Sequence, residues 1–153
     1  FPFGYTTTAN KMQEARQALQ DGATELDIVI NMSQFKSMAY LSVRAELTEL
    51  VQLTHAHQAI AKIIIETAYL DAFELHTACE ICVEAQADFV KTSTGYAPAG
   101  ASVEIVRTLK SILPAAVKIK ASGGIRTYEQ AYALVEAGED RIGTSQAVKI
   151  KKK

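Results

Sequence analysis

The chain has 153 residues, 48 % of them hydrophobic and 22 % charged, ordinary values for one folded domain that exclude a disordered or collagen-like polypeptide. Its 16 Lys and Arg against 17 Asp and Glu give a net charge of −1, which argues against a large nucleic-acid footprint. No apolar run approaches the roughly 20 residues needed to span a bilayer, and two cysteines cannot build a disulfide framework.

Short β-rich runs alternate with longer helical patterns. Residues 10–20 put Met12, Ala15 and Leu19 on one helical face, with Gly22 behind them as a cap. Residues 25–31 read as a strand. Residues 40–57 carry Val43, Leu47, Leu50 and Val51 at helical spacing, and residues 61–66 form the second strand. Asp71 with Glu74 makes a capping box ahead of Leu75, Ala78, Cys79 and Cys82. Residues 88–93 are the third strand. Ser102 caps a helix through Val103, Ile105, Val106 and Leu109, which Pro114 ends. Residues 116–121 are the fourth strand. Thr127 with Gln130 repeats the capping box, Gly138 terminates that helix, and residues 140–144 are the fifth strand.

Strand starts fall 24 to 36 residues apart, the period of successive βα units in a parallel α/β domain. No linker or low-complexity segment interrupts residues 1–153, so one domain is expected. An open doubly wound sheet and a (β/α)8 barrel both fit this rhythm. The absence of a GxGxxG turn weakens the dinucleotide-binding version of the first.

Charged residues interrupt the apolar strands. Asp27 divides Leu26 from Ile28, Lys62 precedes Ile63-Ile64-Ile65 with Glu66 on its own face, Lys91 follows Phe89-Val90, and Lys118 and Lys120 flank Ile119. Burying an unpaired charge is costly, so these residues either snorkel to water at strand ends or line a site. Lys91 and Lys120 stand toward C-terminal strand ends, where barrel active sites collect, and they favour the barrel. A second ammonium nearby disfavours the charge on a lysine. A neutral lysine amine attacks carbonyl carbon and forms a Schiff base, and a carboxylate beside it can move protons. That set suits making or breaking a carbon–carbon bond next to a carbonyl.

Glycine turns follow these strands: Thr94-Gly95 after Lys91, Ser122-Gly123-Gly124-Ile125-Arg126 after Lys120, and Gly143-Thr144-Ser145 at the last strand. Glycine lets backbone N–H groups approach a phosphate, and barrel enzymes often seat phosphate after strands seven and eight. The same turns also serve simply as tight turns.

The runs at 88–95 (DFVKTSTG) and 117–126 (VKIKASGGIR), with 25–31 (ELDIVIN), 63–67 (IIIET) and 141–145 (RIGTS), resemble the deoxyribose-phosphate aldolases in order and at plausible spacing. The opening Phe1-Pro2-Phe3-Gly4 resembles the end of that family's third strand. The resemblance implies a metal-free class I aldolase on a (β/α)8 barrel. Such enzymes interconvert 2-deoxy-D-ribose 5-phosphate with acetaldehyde and D-glyceraldehyde 3-phosphate, need no cofactor beyond the covalent Schiff base, and work in the cytoplasm. It implies that Lys91 forms the Schiff base, that Lys120 favours its neutral amine and assists proton transfer, and that Asp27 joins a proton relay. Lys62 is expected to line the pocket and meet substrate or Asp27. Thr94, Gly95, Gly123, Gly124, Gly143 and Ser145 would bind the sugar phosphate. Arg126 would add charge there or pair on the surface. Against the family barrel the chain reads as strands four to eight, without the N-terminal strands and the C-terminal helix and tail. With no Met start and a closing Lys151-Lys152-Lys153, it is expected to be a piece of something longer. Gln146 stands where many relatives have a second small residue.

Other features take plainer readings. Cys79 and Cys82 sit in mid-helix, not at the helix N-terminus that a redox pair prefers. His55 and His57, two apart, do not share a helix face. His76 is a helix surface residue, and the terminal lysines are solvated. No nucleic-acid or membrane partner is expected, whereas a homo-oligomer is possible. Two other readings remain open: a catalytically incompetent remnant that still binds sugar phosphate, and a structural module that self-associates through open sheet edges.

Overall fold

The computed structural model describes residues 1–151. The order is α1 (Thr8–Gln20), β1 (Glu25–Val29), α2 (Met32–Lys36), α3 (Tyr40–Ala56), β2 (Ile60–Ile64), a 3-10 turn (Thr67–Tyr69), α4 (Ala72–Glu84), β3 (Phe89–Lys91), α5 (Val103–Ile112), β4 (Lys118–Ser122), α6 (Tyr128–Glu136), β5 (Arg141–Gly143) and α7 (Ala147–Lys151). All five expected strands are present, each shorter than its apolar run. Lys152 and Lys153, part of the terminal lysine run, lie outside the described residues.

The strands form one parallel sheet in the order β1-β2-β3-β4-β5. A doubly wound sheet reverses its order at a switch point, whereas strands added one after another in a single direction are the barrel arrangement. The sheet is also rolled. In a flat sheet β1 and β5 would lie roughly 19 Å apart at about 4.8 Å per strand. Here the Arg141 guanidinium on β5 reaches the Glu25 carboxylate on β1 at 2.5 Å.

Rolling sorts the alternating residues. Ile28, Ile63, Val90 and Ile119 point outward beneath the helices, where they join Val43, Leu47, Leu50 and Cys82 in a buried core. Ile63 and Ile119 are fully buried, so truncating either to Ala should cost about 2–5 kcal/mol. Asp27, Lys62, Lys91 and Lys120 have the opposite parity and face the concave side.

Local chemistry sets the element ends. Both expected capping boxes form, Asp71 with Glu74 and Thr127 with Gln130. Thr7 caps α1, which therefore starts at Thr8, before Asn10. The same device precedes β3 and β5. Asp88 takes the Ala61 N–H at 2.8 Å, and Asp140 takes the Ile119 N–H at 2.9 Å, while each returns its own N–H to the same neighbour's carbonyl. Two aspartates thus pin the register of their strands.

The Phe1–Gly4 segment is not a strand in this fold. It crosses the end of β1, where the Phe3 carbonyl accepts the Met32 N–H and Gly4 lies against the Ile30 carbonyl.

Candidate active site

Register brings the two inward lysines together. Lys91 is the Cα partner of Lys120 across the β3–β4 pair, and Asp27 is the partner of Lys62 across β1–β2. Roll then carries Asp27 to the lysines. Its Oδ2 accepts from Lys91 Nζ at 2.6 Å and from Lys120 Nζ at 2.8 Å, and its Oδ1 lies 3.2 Å from Lys62 Nζ. Glu25 supports the cluster from below, with Oε2 at 2.7 Å from Lys62 and 2.5 Å from Arg141. Four cationic side chains therefore share two carboxylates.

Electrostatics follow from this crowding. Burial raises the Asp27 carboxyl, but the hydrogen bonds and charges of Lys120 and Lys91 outweigh it and hold the group well below the usual carboxylate range. Burial also pulls the Lys120 ammonium below the ordinary lysine range. The Asp27 bond opposes that shift, and the Lys91 and Lys62 charges reinforce it. Lys120 is thus a cation that gives up its proton more easily than a free lysine.

A cavity of about 760 Å³ opens above the two lysines at the C-terminal ends of the strands. Lys91 and Lys120 form its floor, and Thr94 and Gly95 its wall after β3. Gly123, Gly124 and Arg126 contribute from the turn after β4, and Gly143 and Ser145 from the turn after β5. Arg126 is exposed at the rim, and its own N–H is spent on Gln130. Three glycines sit in close quarters here. A Cβ on Gly143 would sit 3.0 Å from Ser122 Cβ and 3.3 Å from Lys120 Cε, so glycine leaves the lysine its path. Gly123 has φ +85° and packs on Gly100, where a Cβ would come 2.1 Å from the Gly123 carbonyl oxygen.

The structure departs from the sequence expectation at Lys62. Its side chain is 3 % exposed, locked between Glu25 and Asp27 below the floor, and does not line the cavity. Of the two expected contacts, substrate or Asp27, the structure gives it the one to Asp27. Asp27 itself touches both floor lysines from the side. Glu25 and Arg141 were not singled out as site residues, although both have the inward parity of Asp27 and Lys120. Ser122, Gln146 and Lys149 also line the cavity. Among the described residues no group of His, Cys, Asp and Glu side chains could hold a metal ion, and no helix is long and apolar enough to cross a membrane.

The remaining expectations fall outside the cavity. Cys79 and Cys82 are buried free thiols in α4. His55 bonds Asp88, His57 bonds the Leu53 carbonyl, and His76 faces Glu80 one turn on.

Residues 3–146 match the family described as DeoC/LacD family aldolase. The deoxyribose-phosphate aldolases of Thermococcus gammatolerans and Aquifex aeolicus are each 51 % identical over 150 residues, which cover 98 % of this chain and 67 % and 68 % of those proteins. Among solved structures, an aldolase called QR15 superposes with a TM-score of 0.94 at 51 % identity, covering 98 % of this chain and 67 % of that one. The tetrameric deoxyribose phosphate aldolase of Aeropyrum pernix gives 0.90 at 38 % identity, covering 98 % and 63 %. The chain thus spans about two thirds of the length of the curated relatives it matches.

Proposed function

The chain belongs to the DeoC/LacD family of aldolases, and on that footing we propose that it carries out the lysine-based chemistry of a deoxyribose-phosphate aldolase, with no metal or organic cofactor. The observation that carries the proposal is the sharing of Asp27 Oδ2 by Lys91 and Lys120 at the floor of a glycine-walled cavity.

The proposed sequence begins when the neutral Lys91 amine adds to the aldehyde carbon of open-chain 2-deoxyribose 5-phosphate and water leaves. The protonated imine withdraws electrons. A base takes the proton from the C3 hydroxyl, the C2–C3 bond breaks into an enamine, and D-glyceraldehyde 3-phosphate departs. Protonation of the enamine carbon and hydrolysis then return acetaldehyde and the free lysine. Asp27 and Lys120 supply and collect these protons, directly or through water, because Asp27 already touches both Lys120 and Lys91. Gly123, Gly124, Gly143 and Ser145, with Arg126 at the rim, take the phosphate. Lys62 orients Asp27 from below.

The same proposal places the protein in the cytoplasm with its charged substrate. It also includes self-association, supported by the tetrameric relative and by exposed Met38 and Leu41; sedimentation returning only monomer would count against that part. The chemistry is tested by incubating the protein with 2-deoxyribose 5-phosphate and borohydride and measuring intact mass. One reduced adduct per chain, lost in folded Lys91→Ala, is expected. A folded protein that gives no adduct, or a Lys91→Ala variant that still gives one, overturns the proposal.

A further inference from the structure

Glu66 lies two residues beyond the end of β2. It is 2 % exposed, and its backbone is left-handed, with φ +49° and ψ +67°. A buried non-glycine residue in that region is strained, and such strain persists only where the surroundings hold it. What Glu66 holds is Thr94. Its Oε2 accepts the Thr94 backbone N–H at 3.1 Å and also the Thr94 hydroxyl. Its Oε1 is buried with no partner.

Thr94 lines the cavity beside Lys91. A threonine brings two donors to a site, its N–H and its O–H, and Glu66 consumes both. The hydroxyl oxygen keeps two acceptor positions, one filled by the Tyr96 N–H at 3.2 Å. Thr94 therefore has nothing to donate to a phosphate and one lone pair to offer to an O–H. The carboxylate behind it also repels an anion.

We infer that Glu66 is a positioning residue that fixes Thr94 as a hydrogen-bond acceptor, so that this wall of the cavity reads a hydroxyl of the substrate while the turns after β4 and β5 take the phosphate. The inference rests on the aldolase reading above. It divides the cavity chemically: the β3 wall selects polyhydroxylated aldehydes over their deoxygenated analogues, and Glu66 does so without touching substrate.

The test compares imine trapping by borohydride for 2-deoxyribose 5-phosphate and for 5-oxopentyl phosphate, which keeps the aldehyde and the phosphate but lacks both chain hydroxyls. Half-saturating concentrations are read for the unaltered chain, Glu66→Ala, Glu66→Gln and Thr94→Val, each checked for folding by circular dichroism. One neutral hydrogen bond corresponds to about a three- to tenfold effect. Glu66→Ala and Thr94→Val should each weaken the sugar phosphate by that factor and leave 5-oxopentyl phosphate unchanged. Glu66→Gln, whose amide oxygen can accept the same two bonds, should restore the preference. The double variant Glu66→Ala/Thr94→Val should be no worse than Thr94→Val alone, because both act through one hydroxyl. Equal losses for both probes, or full additivity, overturn the inference and leave the aldolase reading standing. No adduct with either probe in the unaltered chain overturns both. If Glu66→Ala does not fold, Thr94→Val and Glu66→Gln still decide the question.

Discussion

Arg141 is bonded to Glu25 at 2.5 Å, although β5 and β1 share no backbone hydrogen bond. The first and last strands are therefore joined by side chains alone. The two ends of this tie are not equivalent. The Arg141 side chain is 40 % exposed, and pairs of that kind contribute little, about 0–1 kcal/mol. Glu25 also holds the buried Lys62, whose hydrogen bond is the main cause of the lowered Glu25 pKa. Glu25→Ala should therefore cost about 1–3 kcal/mol in urea unfolding, and Arg141→Met less than about 1. The reverse order would show that Lys62 does not depend on Glu25.

Asp27 makes a prediction about protons. In Asp27→Asn the relay loses its base, so aldol cleavage should fall at least about 100-fold, the usual reach of a positioned proton carrier. Imine trapping on Lys91 should fall far less. Cleavage within about tenfold of the unaltered chain would show that Asp27 is not the proton carrier. The same carboxylate acts on stability. Because its folded pKa is depressed, its contribution is present above the ordinary carboxylate value of 3.8 and is lost as pH falls below it. Acid titration of Asp27→Asn should show a shallower loss of stability below about pH 4.

Glu139 has the opposite sign. It is buried ahead of β5, and neither carboxylate oxygen makes a well-formed hydrogen bond, although the Ala121 backbone is near enough to oppose part of the effect of burial. Burial pushes its pKa up to about 7 from the usual 4.5. A raised carboxyl binds its proton more tightly in the folded chain, so stability falls as pH rises from 4.5 to about 7 and then levels. Glu139→Gln should remove that slope and stabilise the protein at pH 8 by roughly 1–3 kcal/mol, seen as a rise of several degrees in Tm. An unchanged slope between pH 5 and 7 would assign it to another group.

The α4 thiols should be inert while the chain is folded. Burial pushes the Cys79 thiol up to about 12 and the Cys82 thiol well above its usual value. Iodoacetamide at pH 8 should label neither residue in hours and both within minutes in 6 M guanidinium, at roughly the rate of free cysteine. Rapid labelling of the native protein would mean that α4 opens locally.

Much of the site was readable because strand alternation converts position into facing. Ionised residues at 27, 62, 91 and 120 inside apolar runs had to share the side away from the helices. Alternation does not say how tightly a sheet rolls. It could therefore not reveal that Lys62 would be enclosed by Glu25 and Asp27, or that Arg141 would reach across to β1. The α2 helix escaped notice for another reason. It has five residues, too few for a helical period, and its clearest sign is the Asn31 side chain accepting the Gln34 N–H at 3.2 Å. The turn at Glu66 was hidden because a left-handed glutamate has no compositional mark; only the bonds to Thr94 explain it.

The Glu25–Arg141 tie joins residues 116 apart, and the Asp27–Lys120 bond joins residues 93 apart. Contacts that close such long loops form late, after local units such as β2-α4-β3 have paid their own ordering entropy. The Asp27–Lys120 and Glu25–Arg141 contacts therefore need both edges of the sheet in place at once. Partial unfolding from either edge would silence the chemistry while most of the helical signal survives. Activity is accordingly a more sensitive gauge of this protein's integrity than circular dichroism.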